Sequence, residues 1–413
     1  MKSYVFLNWQ AKNYLLFTLA IVSMLSLAAC GKSTEEPASV PSKDPAVLLE
    51  AELETLRQRY NLPSLAVFIG DATDTLANSA VGVRKLGNDT AVTAGDLYHL
   101  GSVTKSMTAT LAALLVEQGK ISWQSKPVEL FPELATSIHA DFKELTLEQL
   151  LANRGGIVNL DKNPELAEQL VRAFEAQLGP TDSLRQQRQL ITQLLLAQAA
   201  EFAPGSEYDY SNFGYVIAGA MLEQAANKQW ETLTQELLFQ PLGITTAGFG
   251  PPASSGSIDQ PWGHFFDGSE AQPIAPDAPN ADNPAFLGPA GTVHMSLADL
   301  GRYTTMHLQA GRGSTQFLSK ASQQMLYTPR SEDGYALGLI FVPAEGTDDS
   351  SLLWHNGSNT NFYVTMYIFP EENRTVIVGT NMGAAAADAG FLEISIQETA
   401  EMLLTRYEIE QAN

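Results

Sequence analysis

Strand-forming segments stand at both ends of this 413-residue chain, and the stretch between them is patterned as helix. Near the N-terminus, residues 65–69 form a short apolar run of the kind buried in a sheet, and residues 76–83 supply a second strand to complete a hairpin. Towards the C-terminus, residues 335–343, 352–355, 362–369 and 375–380 are bounded by turn residues, with Pro370, Glu371, Glu372 and Asn373 turning between the last two. In the middle, residues 165–178 and 183–198 repeat apolar side chains at helical spacing on either side of the breaker pair Gly179 and Pro180. Residues 213–226 and 230–238 continue that pattern, and further helices are expected over 46–60 and about 391–406. The fold class is therefore α+β: an antiparallel sheet built from both termini and flanked by helices, with an inserted mostly helical lobe. Residues 249–290, rich in Gly, Pro, Ser, Asp and Asn, read as a long irregular excursion.

Hydrophobic residues make up 45% of the chain, enough for one large two-lobed domain or for two domains. Acids outnumber bases, 46 against 24, for a formal net charge of −22, which excludes a nucleic-acid partner because phosphate binding needs a basic footprint. At the start, Lys2 and Lys12 precede an uncharged apolar stretch over residues 14–29, of a length that suits a secretory leader. It ends in Leu27, Ala28, Ala29, Cys30 and Gly31, and Cys30 is the only cysteine. That string resembles the bacterial lipobox. The resemblance implies a lipoprotein signal peptide over residues 1–29 and lipidation of Cys30. It also implies a flexible tether over 30–45, a folded domain over 46–413, and a place in the cell envelope, on the outer membrane facing the periplasm. With a single cysteine, no intrachain disulfide is possible.

Three short motifs carry the chemistry. Ser102, Val103, Thr104 and Lys105 open an apolar run that ends at Gly119, which reads as a buried helix with a glycine C-cap. Ser102 and Lys105 are then stacked at i and i+3 in the first turn. The positive end of the macrodipole should lower the lysine pKa there, and a neutral amine beside a hydroxyl is a base next to a nucleophile. The spacing by itself equally describes a serine N-cap with a solvated lysine. Tyr210 and Asn212 form the second motif: a phenol can relay protons, and an amide can hold a carbonyl or an amine. They also fit a turn feeding a helix, with Asn212 as N-cap. The third motif is His355, Asn356, Gly357 and Ser358 at a strand end, where glycine lets a substrate backbone approach and histidine can titrate near neutral pH. The same His-x-Gly spacing occurs at His99 and Gly101.

In this order the motifs resemble those of the serine β-lactamase and penicillin-binding-protein superfamily, in the branch of class C β-lactamases, DD-peptidases, D-amino-acid peptidases and esterases. Residues 145–157, 240–243 and 289–300 also resemble strings of that family, so the likeness spans about residues 46–408. It implies that Ser102 is acylated, that Lys105 and Tyr210 share base and acid work, and that Asn212 holds the lysine and a substrate amide. The backbone N–H groups of Ser102 and Ser358 would form the oxyanion hole. His355 and Gly357 would border the carboxylate or acyl end of a small-molecule or peptide substrate, a class that in this family includes peptidoglycan-derived peptides. No cofactor is implied.

Two departures bear on substrate. Class C enzymes carry Lys-Thr-Gly where this chain has His355, Asn356 and Gly357, which disfavours a clamp for a β-lactam carboxylate. Asn153 and Arg154 replace part of the usual Thr-His-Thr-Ser string, and Arg154 reads as loop packing. The expected activity is a serine hydrolase of peptidase or esterase type acting on an ester or amide. A β-lactamase proper and a non-catalytic peptidoglycan- or partner-binding protein are the alternatives. The six histidines, at 99, 139, 264, 294, 307 and 355, are scattered, and no metal-binding motif is present.

Overall fold

The computed structural model describes residues 45–160, 162–313, 317–344, 351–385 and 390–412. The expected leader over 1–29, Cys30 and all but the last residue of the expected tether over 30–45 lie outside the described residues. The chain divides into an N-terminal unit, residues 1–49, of which 45–49 are described as helix, and a large unit, residues 50–413, that carries everything below.

The helices of eight residues or more are α1 (Pro45–Arg59), α2 (Thr104–Glu117), α3 (Pro164–Gln177), α4 (Leu184–Leu196), α5 (Asn212–Ala226), α6 (Leu297–Gly311), α7 (Lys320–Tyr327) and α8 (Gly390–Ala412). The strands are β1 (Ser64–Gly70), β2 (Thr75–Gly82), β3 (Leu97–His99), β4 (Gly248–Phe249), β5 (Gly263–Phe266), β6 (Ala271–Ile274), β7 (Val293–Ser296), β8 (Ile340–Val342), β9 (Leu352–Ser358), β10 (Tyr363–Phe369), β11 (Arg374–Thr380) and β12 (Met382–Ala384).

Six strands form the main antiparallel sheet in the order β2-β1-β11-β10-β9-β8, so the sheet is built from both termini as the sequence predicts. Every residue of β1, β10 and β11 is buried, which requires cover on both faces. α6 packs on β1, β10 and β11, and α8 packs on β11. Phe68 of β1 meets α6 at Gly301, where an added Cβ would stand 2.4 Å from the ring. The helical middle packs on itself and on α2: α4 lies on α5, and α5 contacts α2.

The expected strand over 335–343 shrinks to Ile340–Val342. Gly338, at φ 72°, turns the chain there and brings its backbone against α2, where a Cβ would sit 2.6 Å from Lys105 O. Conversely, the strand expected to end at residue 355 runs through to Ser358 as β9. The helix expected over 230–238 ends at Thr234, and residues Gln235–Phe239 widen into a π turn. The 249–290 excursion contains β5 and β6, which join β12 in a small sheet, while β3, β7 and β4 form another. Strands of two to four residues are too short to show alternation in sequence.

One ion cluster pins the helical lobe. Arg188 of α4 is fully buried, and its Nη2 lies 2.5 Å from Glu223 Oε1 of α5 and 2.8 Å from Glu231 Oε2. Glu223 also accepts from Trp230 N at 2.8 Å. Removing the guanidinium would leave carboxylates buried without a counter-charge, so Arg188→Met should cost about 3–5 kcal/mol of unfolding free energy. Denaturant titration checks this; a loss under about 1 kcal/mol would contradict it.

Candidate active site

Ser102 sits in a single 3-10 turn, Gly101–Val103, that feeds directly into α2. Sequence reasoning places it in the first α turn; it lies one step earlier. Lys105, the second residue of α2, is fully buried. Its Nζ lies 2.9 Å from Ser102 Oγ, 2.7 Å from Asn212 Oδ1 and 2.8 Å from Ala290 O. Burial pushes the amine well below its ordinary 10.5, because an ammonium would lose its hydration here. Desolvation is the largest cause of the shift. The neighbours match a neutral amine: two N–H groups donate to Asn212 Oδ1 and Ala290 O, and the lone pair is left for the serine hydroxyl.

The second motif is set by helix capping. Ser211 is the N-cap of α5, its Oγ accepting from Gly214 N at 3.1 Å. Asn212 is therefore the first helical residue and not the cap, which frees its side chain for Lys105. Asn153, in the left-handed region at φ 56°, brackets the segment that carries Tyr210: its carbonyl accepts from Asp209 N at 2.9 Å and its Oδ1 from Ser211 N at 3.1 Å. Arg154 donates to the carbonyls of Arg330 and Gly205, so it packs the loop as expected.

Tyr210 is 39% exposed as a whole residue, yet its hydroxyl end turns in to Ser102, where burial holds the phenol pKa above its ordinary value of 10. The ring centroid is 4.8 Å from Lys105 Nζ. Tyr335 stands edge-on to Tyr210, with centroids 6.3 Å apart, and 5.5 Å from the ring of Tyr208, whose phenol burial pushes up to about 12. These three rings form an aromatic wall beside the serine.

Strand β9 closes the other side. A Cβ on Gly357 would stand 2.0 Å from Leu100 O and 2.6 Å from Ser102 N, and one on Gly101, at φ 48°, would stand 2.4 Å from Ser358 N. The strand end and the serine turn thus touch backbone to backbone, and only glycine at both places permits it. β8 pairs with β9 only through Leu352–Trp354. Beyond Trp354 the outer edge of β9 has no strand neighbour among the described residues.

His355 is more firmly neutral than a histidine at its ordinary pKa of 6.5. It is 3% exposed, its Nδ1 meets Asn356 O, and its Nε2 is buried without a hydrogen-bond partner. Burial pushes its pKa down to about 4, because an imidazolium would lose its hydration there. It is a neutral imidazole at neutral pH and does not titrate there. The structure thus brings Ser102, Lys105, Tyr210, Asn212, His355, Gly357 and Ser358 to one place. Ala290 and Tyr335 join them, as does Asn153, which the sequence marks only as a departure from the family string. Ala290 contributes through its backbone carbonyl alone, which its side chain in the sequence does not announce. Among the described residues, no group of three or more His, Cys, Asp or Glu side chains could hold a metal ion.

The Beta-lactamase family model matches residues 49–401, and the chain belongs to that family. Penicillin-binding protein 4 of Amycolatopsis lactamdurans is 26% identical over 67% of this chain and 68% of its own length. Unguisins hydrolase ungD' of Aspergillus campestris is 23% identical over 86% of this chain, which spans 65% of that relative's length. Among solved structures, the D-amino acid amidase of Ochrobactrum anthropi SV3, complexed with L-phenylalanine amide, superposes with a TM-score of 0.67 at 16% identity. That match covers 88% of this chain and 98% of the amidase. Together they confirm the α+β fold of this family.

The buried imidazole also predicts a pH dependence of stability. His355 titrates near its ordinary 6.5 when unfolded and near 4 when folded, so the unfolded chain binds the extra proton in between. Its contribution is complete above pH 6.5 and is lost as pH falls towards 4, by up to about 3 kcal/mol. His264 and His307 are pushed down too, to about 4 and about 3, and add to the slope. Unfolding free energies measured from pH 7 to 4 should fall less steeply in His355→Gln than in the parent; parallel curves would contradict the buried neutral state.

Proposed function

We propose that this protein is a lipid-anchored, envelope-facing serine hydrolase that cleaves an ester or amide through an acyl-serine intermediate. The observation that carries the reading is the desolvated Lys105 amine 2.9 Å from Ser102 Oγ. The neutral amine takes the Ser102 proton as Oγ attacks the substrate carbonyl. The oxygen that gains charge is held by the N–H groups of Ser102 and Ser358. When the tetrahedral intermediate collapses, the leaving group takes a proton from Lys105 or from Tyr210. The raised phenol pKa makes Tyr210 a proton donor and relay at neutral pH, with Lys105 as the base. Water attacks the acyl-serine carbonyl by the same route in reverse and releases Ser102.

His355 directs the substrate preference. A neutral imidazole gives no full charge to pair with a substrate carboxylate, and the wall of Tyr208, Tyr210 and Tyr335 favours apolar or aromatic groups. Peptidase or esterase activity on a substrate without a carboxylate at that end fits better than β-lactam hydrolysis. Relatives named as a hydrolase and as an amidase support this reading. The lipobox-like string ending at Cys30 supports the anchor, and a Cys30→Ser chain that still takes up labelled palmitate would remove that support.

The protein and its Ser102→Ala variant are to be incubated with a short-chain nitrophenyl ester, an amino-acid amide, a D-Ala-D-Ala peptide and a penicillin. Ester or amide turnover that vanishes in Ser102→Ala is expected; turnover that survives the substitution would overturn the acyl-serine mechanism. In His355→Lys, the rate on the penicillin relative to the ester should rise about ten-fold, the effect of roughly 1.4 kcal/mol from one charge-assisted contact.

A further inference from the structure

A second histidine lies directly behind the serine turn. His99, at the end of β3, is fully buried, and its Nδ1 accepts the N–H of Gly101 at 3.1 Å. A ring nitrogen that accepts carries no proton, so the proton of the neutral ring is on Nε2. Nε2 stands 2.9 Å from Asp282 Oδ1, close enough for the carboxylate charge to act but off the line of a straight hydrogen bond. Asp282 belongs to the 249–290 excursion, and its side chain is 6% exposed.

The same carboxylate reaches the other parts of the site. Asp282 Oδ1 accepts from Asn359 Nδ2 at 3.1 Å, and Asn359 directly follows Ser358 at the end of β9. It also accepts from Asn283 N at 2.7 Å, and Asn283 Nδ2 donates to Gly291 O at 2.9 Å, one residue beyond the Ala290 carbonyl that receives Lys105. Asn361 ties the excursion to the strand end a second time, donating to Asn280 O at 2.7 Å. One buried carboxylate is therefore linked to the turn of Ser102, to the strand end of Ser358 and to the acceptor that orients Lys105.

We infer that His99 and Asp282 are positioning residues: through them the 249–290 excursion sets the alignment of the Ser102 and Ser358 N–H groups. Asp282 favours the tautomer with Nε2 protonated, which leaves Nδ1 free to hold Gly101 in its left-handed conformation. The inference rests on the acyl-serine reading above and adds a purpose for the excursion.

Two substitutions at one position separate this from mere packing. In His99→Gln the amide reaches the Nε2 position, facing Asp282, and Gly101 N–H loses its acceptor. In His99→Asn the side-chain oxygen takes the place of Nδ1 and can still receive Gly101 N–H. Ester hydrolysis by His99→Gln should lose about 10–100-fold in kcat with KM within about two-fold, the behaviour of a misplaced oxyanion donor. His99→Asn should recover to within about five-fold of the parent. Equal losses in the two variants, or no loss in His99→Gln, would overturn the inference. Hydrogen exchange in the near-isosteric Asp282→Asn supplies a readout independent of turnover and of the His99 variants' folding. Faster exchange at residues 101–103 and 358, together with 249–290, is expected; faster exchange confined to 249–290, or none, counts against the coupling. If the parent hydrolyses nothing, the acyl-serine reading falls while the exchange result still decides the coupling.

Discussion

The desolvated amine of Lys105 is the constraint around which the rest of the site is arranged. An ammonium buried at this depth would lose several kcal/mol of hydration, so the folded chain keeps the lysine unprotonated. A neutral amine has two protons to give and one lone pair, and the structure provides for all three. Asn212 and Ala290 receive the protons, and Ser102 meets the lone pair. Those partners come from the start of α5, from the short helix Gly288–Gly291 and from the turn before α2. Helical lobe and sheet-flanking elements must therefore meet to satisfy a single nitrogen.

Backbone proximity is the second requirement, and glycine meets it. Gly357 lets β9 lie against the serine turn, and Gly219 lets α5 close on the Gly288–Gly291 helix, where a Cβ would stand 2.3 Å from Pro289 Cγ. The second contact is a packing analogue of the first: it brings the carbonyl of Ala290 to the lysine while α5 brings Asn212. The electrostatics then follow from how little water reaches the site. The phenol of Tyr210 stays protonated and the imidazole of His355 stays neutral for the same reason that the lysine does.

The sheet and its assembly from both termini were legible in the sequence because β1, β10 and β11 are rich in apolar, β-branched and aromatic residues and bounded by turn residues. α2 was legible because an apolar run ended at a glycine. Ser102, Lys105, Tyr210 and Asn212 were legible as spacings, but their arrangement was not. Nothing local shows that Ser211, and not Asn212, caps α5, or that a carbonyl at Ala290 completes the lysine's set. How far the pKa of His355 falls was not legible, because burial is a tertiary property, and a histidine beside Asn356 and Gly357 in sequence gives no sign of it. The 249–290 excursion looked irregular because β5 and β6 are too short to alternate visibly. The asparagines and Asp282 that fasten it resemble ordinary loop composition until their partners at His99 and Asn359 are in view.

Building the main sheet from both termini has a consequence for how the chain acquires its structure. β1 is buried along its whole length, and its Phe68 pairs with Ile377 of β11, near the far end of the chain. As the polypeptide emerges residue by residue, the early strand partner of β1 among the described residues is the hairpin strand β2. Its other edge stays open, apolar and able to pair with a foreign strand until the last hairpin is complete. Contacts of such long sequence separation also slow the folding search. The interval between the appearance of β1 and that of β11 is thus when this chain is most exposed to aggregation, and when a holding partner would have most effect.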